Sequence, residues 1–425
     1  MKNPGHPAES WYVATTDLPT YPALNGQVTT DVAIIGGGYT GLGAALELAR
    51  QGIDVTVLDS AQIGSGASGR NGGQIHTGQR LDPQHLEALF GEDAARQLWD
   101  ISADAKTSLY EIIKTHGIDC ELKHGLVHSW HKPHFADDDR AYADFIQRRY
   151  GYDQVRLLDK SQVAQALGTD IYHGGIFDGG GGHLHPLKLA IGLAGAAARA
   201  GARLYENSHV TAYAQGSDGI HLTLGNGTSV RARRLLICGN GYMEGLNETI
   251  DAHVMPINNF ILTTEPLEDP AILPHDYAAS DSRFVVNYWR KTPDNRLLFG
   301  GGENYTPWFP KDIKAFVRRN MLKVYPGLAD VHISHAWGGT LAITLSRAPF
   351  VRELAPNVFV SAGYSGQGVV LAPYFGRLLA RAFCGDRRDV DLLARMPAPA
   401  FFGGRALRWP ALVAGLSYYA LRDRL

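Results

Sequence analysis

From residue 31 the apolar positions run unbroken in "DVAII", recur at helical intervals through "YTGLGAALELARQG", and become continuous again in "IDVTVLDS". A buried run, a 3.6-residue period and a second buried run predict strand, helix and strand over 31–59, a βαβ unit. Helical spacing dominates 83–118, with Leu86, Leu89, Phe90, Leu98, Ile101, Leu109, Ile112 and Ile113 on its apolar positions. A further helix is expected over 186–201, ended by Gly201, followed by short strands with turns at "GSDG" and "GNG" and a buried strand "RLLICGNG". Between about 255 and 345 the strand-like runs "NFILTTEPL", "RFVVNYWRK", "RLLFGGGENY" and "HISHAWGGTLAIT" alternate with turn residues and predict a separate antiparallel sheet. The chain then returns to strand, glycine turn and helix in "VFVSAGYSGQGVVLAPYFGRLLARAF". No fixed-period repeat interrupts this order.

At 425 residues the chain is long enough for two or three cores. Its composition, 45% hydrophobic and 19% charged with a formal net charge of −2, is globular and offers no basic excess for nucleic acid. Cys120, Cys238 and Cys384 lie far apart and form no CxxC pair, which favours a reducing compartment. The start, "MKNPGHPAESW", lacks an apolar stretch behind its lysine, so a cytoplasmic protein is expected. Near the end, "WPALVAGLSYYAL" (409–421) is too short to cross a bilayer; its flanking arginines leave a membrane-surface contact open beside a docked terminal helix.

Chemistry enters with "GGGYTG", which sets Gly36, Gly38 and Gly41 as GxGxxG between a predicted strand and a predicted helix. Gly36 permits the tight turn, Gly38 lets backbone approach a pyrophosphate, and Gly41 allows helix and sheet to pack. The helix start offers unpaired N–H groups to the anion. Asp59 ends the second strand, eighteen residues after Gly41, placed to accept ribose hydroxyls, with Ser60 beside it. Dinucleotide binding follows from that order and spacing.

A second glycine loop, "GSGASGRNGGQIHTG" (64–78), has no task in an enzyme using free nicotinamide dinucleotide. Backbone with few side chains can instead lie close to a flat isoalloxazine ring. A third loop, "SAGYSGQGVV" (361–370), leads into a helix whose N-terminus can stabilise the charge that builds on a reduced flavin. FAD is therefore the expected dinucleotide.

The stretches "GASGRNGGQ", "NRLLFGGG", "AWGGTLAITLSRAP", "GYSGQGV" and "FFGGRALRWP" resemble the FAD-dependent amine and amino acid oxidases of the D-amino acid oxidase superfamily, and within it the gamma-glutamylputrescine oxidoreductase branch. That resemblance covers nearly the whole chain. It implies an α/β (α+β) fold: a Rossmann-like FAD-binding domain from 1–82, 150–250 and 350–425, with a mostly antiparallel substrate domain from 83–149 and 251–349. It implies FAD held noncovalently by Gly36, Gly38, Tyr39, Thr40, Gly41, Asp59 and Ser60; by Ser65, Ser68, Arg70, Asn71, Gly72, Gly73 and Gln74; by Val210, Gly239 and Asn240; and by Gly363, Gly366, Gln367, Gly368 and Val369. The "AITLSR" segment has no cysteine where the sarcosine oxidase branch would attach its flavin.

The implied reaction removes a hydride equivalent from the carbon beside an amine; the imine hydrolyses to aldehyde and ammonia, and the electrons pass to oxygen, giving hydrogen peroxide, or to another acceptor. An apolar pocket lowers the amine's pKa so that it can react unprotonated. His76, Tyr288, Trp337, Thr344 and Arg347 are the candidate catalytic residues, with Trp289 and Thr340 near them and Arg347 as a carboxylate partner. Each also reads as packing, capping or surface charge. Asp178, His183 and His185 in "DGGGGHLHP" do not have metal-site spacing, so no metal is expected. Alternatives are oxidation of an N-methyl, glycine-like or D-amino acid, or a non-catalytic flavin-binding role.

Overall fold

β-Branched and aliphatic runs become strands where both faces can be covered. In chain order these are β1 (Gln27–Ile35), β2 (Val55–Leu58), β3 (Gln74–Ile75), β4 (Lys123–Ser129), β5 (Val155–Asp159), β6 (Gly174–His183), β7 (Arg203–Tyr205), β8 (Val210–Gly216) and β9 (Gly219–Leu224). They continue as β10 (Ser229–Ile237), β11 (Met255–Pro266), β12 (Ala278–Asp281), β13 (Tyr288–Lys291), β14 (Arg296–Asn304), β15 (Ile333–Ile343), β16 (Phe350–Ala355) and β17 (Val358–Ala362). The structure is a computed structural model and describes residues 5–304, 308–404 and 410. The arginine-flanked segment after 404 lies, but for Pro410, outside them. Among the described residues no helix is long and apolar enough to cross a membrane.

One sheet runs β16-β17-β10-β1-β2-β7, with β9 and then β8 continuing from β10. Its centre is parallel: β1 pairs with β10 and β2, β2 with β7, and β10 with β17. All four residues of β2 are buried, as expected of a strand covered on both sides. Helices Tyr39–Arg50, Glu92–His116, Pro186–Arg199 and Gly368–Phe383 supply much of one core, including Leu42, Leu98, Leu193 and Phe375.

The second sheet runs β15-β11-β14-β13-β12-β4-β6-β3, with β5 beside β6. Every neighbouring pair is antiparallel except β12 with β4. Phe260, Trp289 and Phe299 bury one face beneath the helix Ile313–Val324, whose Val317 and Met321 join the same cluster. Each such side chain contributes about 2–3 kcal/mol by leaving water.

Two details differ from the pattern reading. β5, β6 and β3, expected with the first domain, hydrogen-bond into the second sheet. In "RFVVNYWRK" only Tyr288–Lys291 is strand, because the Asp281 carboxylate accepts from the backbone of Arg283 (3.3 Å) and Asn287 (3.1 Å) and draws the chain into a turn.

Candidate functional site

At the C-terminal edge of the parallel strands, Gly36 stands at φ +105°, and a Cβ there would meet the Cys238 carbonyl oxygen at 2.8 Å. Only glycine makes this turn without strain. A Cβ on Gly41 would lie 2.0 Å from the Gly36 carbonyl, so the helix starts hard against the turn. No side chain of the N-cap, Gly38, caps that helix; instead the Tyr39 N–H donates to Ser68 Oγ at 2.9 Å. Asp59 ties two turns together, accepting from Gly37 N–H (2.7 Å) and Ala61 N–H (2.9 Å). Burial raises its pKa, and those two bonds act against it.

The 64–78 loop is held from within and from beneath. Asn71 donates to the Ala67 and Ser68 carbonyls (3.0 and 2.9 Å) and accepts from Gly73 N–H (2.8 Å). Arg70 is buried and fans out to the carbonyls of Ser65 (2.6 Å), Gly338 (3.0 Å) and Gly5. Trp337 Nε1 donates to the Arg70 carbonyl at 3.0 Å. Gly73, at φ +76°, passes so close to the Leu184 carbonyl that a Cβ would fall 2.0 Å from it. The Tyr288 ring lies over Gly72, and Gln74 Nε2 donates to the Ala279 carbonyl at 2.7 Å.

Some three hundred residues later the third loop closes on the first. Tyr364 OH lies 2.7 Å from both Thr40 Oγ1 and Ser361 Oγ. Gly363 N–H donates to Asn240 Oδ1 (3.0 Å), and Ser365 N–H to the Ala342 carbonyl (3.1 Å). The helix Gly368–Phe383 also begins without a side-chain cap, and Oε1 of its N-cap residue, Gln367, is buried without a hydrogen-bond partner. This helix packs on Tyr39–Arg50 through glycines: a Cβ on Gly376 would come 2.0 Å from the Thr40 carbonyl, one on Gly43 2.2 Å from that of Pro373. Two helix starts, neither capped by the side chain of its own N-cap residue, are thereby brought to one place.

Between them lies a cavity of about 1370 Å³, open mouth included. Of the sequence-predicted cofactor residues, Gly36, Gly38, Tyr39, Thr40, Asp59, Ser60, Ser68, Asn71, Val210, Gly239, Asn240, Gly366, Gly368 and Val369 line it. Gly41, Ser65, Arg70, Gly72, Gly73, Gln74, Gly363 and Gln367 do not; most of them brace the lining from behind. Sequence reading missed His209, Thr211, Tyr242–Leu246 and Leu341–Ala342, which also line it. Their one signal was position, just past or within strands ending at this edge.

None of the five catalytic candidates lines this cavity. Trp337 is core, packed with Tyr12 and Leu187. Tyr288 spans Gly72 and Gly300 and donates to Asn259 Oδ1 at 2.5 Å. Thr344 is buried and donates to the Ala348 carbonyl (2.6 Å), closing a turn in which Arg347 adopts φ +67°. His76 is half-buried, and its pKa falls to about 4 through loss of water, then Arg80 and His128. Thr340 donates to Asn258 Oδ1 (2.8 Å), and Trp289 Nε1 to Tyr325 OH (3.0 Å) inside the second core. Asp178, His183 and His185 have separate partners: Thr77 and Tyr152; the Asp276 carbonyl; the Lys188 N–H.

The cavity fits an extended dinucleotide carrying a diphosphate. Two helix N-termini suit an anion, the Asp59 carboxylate suits ribose hydroxyls, and a Cβ on Gly366 would meet only open space.

Comparison with known proteins agrees with this architecture. Residues 31–382 match the family described as DAO, FAD dependent oxidoreductase. A probable oxidoreductase OrdL of Rhizobium meliloti is 45% identical over 100% of this chain and 99% of its own. The gamma-glutamylputrescine oxidoreductase of Escherichia coli is 37% identical over 98% of each chain. Among solved structures, glycine oxidase from Geobacillus kaustophilus superposes with a TM-score of 0.71 at 23% identity, covering 87% of this chain and 96% of its own. With three glycine loops meeting on one cavity and a match spanning both sheets, the chain belongs to the DAO family of FAD-dependent oxidoreductases, enzymes that act on amines and amino acids.

Proposed function

We propose that the protein oxidises a primary amine, gamma-glutamylputrescine or a close relative, at the carbon beside the nitrogen. The amine loses two electrons and two protons, and the resulting imine takes up water to give an aldehyde and ammonia. FAD, when bound, supplies the two-electron acceptor, and oxygen or a second acceptor reoxidises it. The similarity in sequence to the Escherichia coli gamma-glutamylputrescine oxidoreductase along both full chains carries this reading.

In it, the chain's residues divide into those that would hold the cofactor and those that would meet the amine. The N–H groups opening Tyr39–Arg50 and Gly368–Phe383, with Ser68, Asn71 and Asp59, would hold FAD noncovalently in the cavity. Arg70, Gly72, Gly73 and Gln74 fix the loop that carries Ser68 and Asn71. His76, whose pKa is lowered to about 4 chiefly by loss of water, would meet the amine as an uncharged hydrogen-bonding group. We assign the parallel sheet and its helices to the cofactor and the second sheet to the substrate.

The test is anaerobic bleaching of the flavin absorbance by a panel of gamma-glutamylputrescine, putrescine, N-acetylputrescine, sarcosine, glycine and D-alanine. Fast reduction by gamma-glutamylputrescine supports the reading; reduction by sarcosine, glycine or D-alanine alone overturns it.

A further inference from the structure

Residues 5–16 precede β1 and lie outside the 31–382 match to the family, yet they are fastened to the second glycine loop. The segment ends in a single helical turn, Trp11–Ala14, which its own polar side chains close. Ser10 Oγ accepts from Tyr12 N–H (3.1 Å), and the Thr15 and Thr16 hydroxyls donate to the Trp11 and Tyr12 carbonyls (2.7 and 2.6 Å). Both aromatic side chains of that turn are buried. The Tyr12 ring stands 4.9 Å from that of Trp337 and 4.7 Å from that of His185.

Polar contacts then tie the segment to the loop and its approach. The Gly5 carbonyl accepts from Arg70, His6 N–H donates to Gln62 Oε1 (3.3 Å), and Tyr12 OH donates to the Asn71 carbonyl (2.8 Å). Beside Tyr12 lies Arg290 of β13, only 1% exposed. Its Nε donates to the Gly72 carbonyl (3.0 Å), its Nη2 to Tyr12 OH (3.4 Å) and its Nη1 to the Lys291 carbonyl (3.0 Å). Among the described residues no carboxylate is paired with it, so the buried charge rests on oxygens of the loop, the segment and its own strand.

These bonds fix the backbone where the loop meets the cavity. Asn71 lines the cavity, whereas Tyr12 and Arg290 do not. A trans peptide sets its N–H opposite its C=O. The Gly72–Gly73 peptide is therefore gripped at both ends, its carbonyl by Arg290 and its N–H by Asn71 Oδ1 (2.8 Å), while the carbonyl of the preceding peptide is held by Tyr12.

We propose that residues 5–16 form a strap belonging to the cofactor site, in which Tyr12 and Arg290 are positioning residues: they orient the Asn71 and Gly72 peptides for FAD, so that docking of the strap and binding of FAD strengthen one another. Such coupling is reciprocal, each event raising the affinity of the other by the same factor. The proposal rests on FAD as the cofactor and is independent of which amine is oxidised.

The experiment compares amide hydrogen exchange in apoprotein and FAD-loaded protein, and FAD affinity in wild type and Tyr12→Phe. In the wild type FAD is expected to slow exchange at 5–16 about tenfold more than in the helix Ile313–Val324, which belongs to the second core. Tyr12→Phe keeps the ring and removes one hydroxyl. Its FAD affinity, read by titrating the apoprotein, is expected to fall about tenfold, with the extra protection of 5–16 lost. Protection spread evenly over the molecule, or unchanged FAD affinity in Tyr12→Phe, overturns the proposal. A lower apoprotein Tm with unchanged FAD affinity overturns it too, because Tyr12 would then serve packing alone. Should Tyr12→Phe fail to fold, the wild-type exchange comparison decides by itself: extra protection at 5–16 upholds the strap, and its absence refutes it.

Discussion

Thr40 and Tyr364 lie 324 residues apart in sequence, yet their hydroxyl groups meet at 2.7 Å. The bond joins the first glycine loop to the third at the cavity wall, with Ser361 as a third member. Replacing Tyr364 by Phe keeps the ring and strands two buried hydroxyls, at roughly 1–3 kcal/mol. FAD affinity of Tyr364→Phe is therefore expected to fall about tenfold or more, read by titrating apoprotein with FAD. Unchanged affinity would show that the two loops stay registered without this bond.

Arg70 is expected to matter before any cofactor arrives. Its buried guanidinium binds three carbonyls, and among the described residues no carboxylate is paired with it. Arg70→Ala leaves those carbonyls unpaired and opens a void, so the apoprotein is expected to lose roughly 3–5 kcal/mol and several degrees of Tm along with FAD retention. A melt of apoprotein and holoprotein separates this role from direct cofactor contact, which would lower only the holoprotein Tm.

The glycines where the two helices touch admit no Cβ without movement. Gly376→Ala would press a methyl group to 2.0 Å from the Thr40 carbonyl. The helices must separate, at a cost of about 1–3 kcal/mol. Loss of FAD retention with little change in helical circular dichroism is the expected result.

A pH effect follows from His185. Its Nδ1 accepts from Lys188 N–H (3.2 Å) at the start of Pro186–Arg199, its ring packs among Trp11 and Tyr12, and loss of water, followed by Arg290 and Lys188, lowers its pKa to about 2. The unfolded chain binds this proton near the ordinary value of 6.5, so the stabilisation is complete above about 6.5 and drains away as the pH falls toward 2. Between pH 7 and 5 the loss from this one group is about 2 kcal/mol. His185→Asn should be less stable at neutral pH and lose less on acidification; parallel Tm curves would refute this.

Much of the cavity was legible because backbone geometry dictates its residues. Gly36, Gly38, Gly41 and Asp59 follow from the needs of a tight turn, a close approach and a ribose, and these are local in sequence. Arg70, Gly72 and Gln74 lie outside the cavity lining, and around them glycine-rich sequence also marks backbone crowded by protein, by Tyr288 and by the Leu184 carbonyl next door. Trp337 and Thr344 read as pocket residues because their segment ends at the cavity, but alternation along β15 and a turn hydrogen bond send their side chains elsewhere.

The packing of Tyr39–Arg50 on Gly368–Phe383 also sets an order of assembly. During synthesis the first glycine loop emerges more than three hundred residues before the helix that completes its cavity. A nascent chain stopped short of Gly368 has the fingerprint without the wall, and loop closure over that span is slow to pay for. Ribosome-bound chains should therefore take up FAD only once the helix Gly368–Phe383 has cleared the exit tunnel.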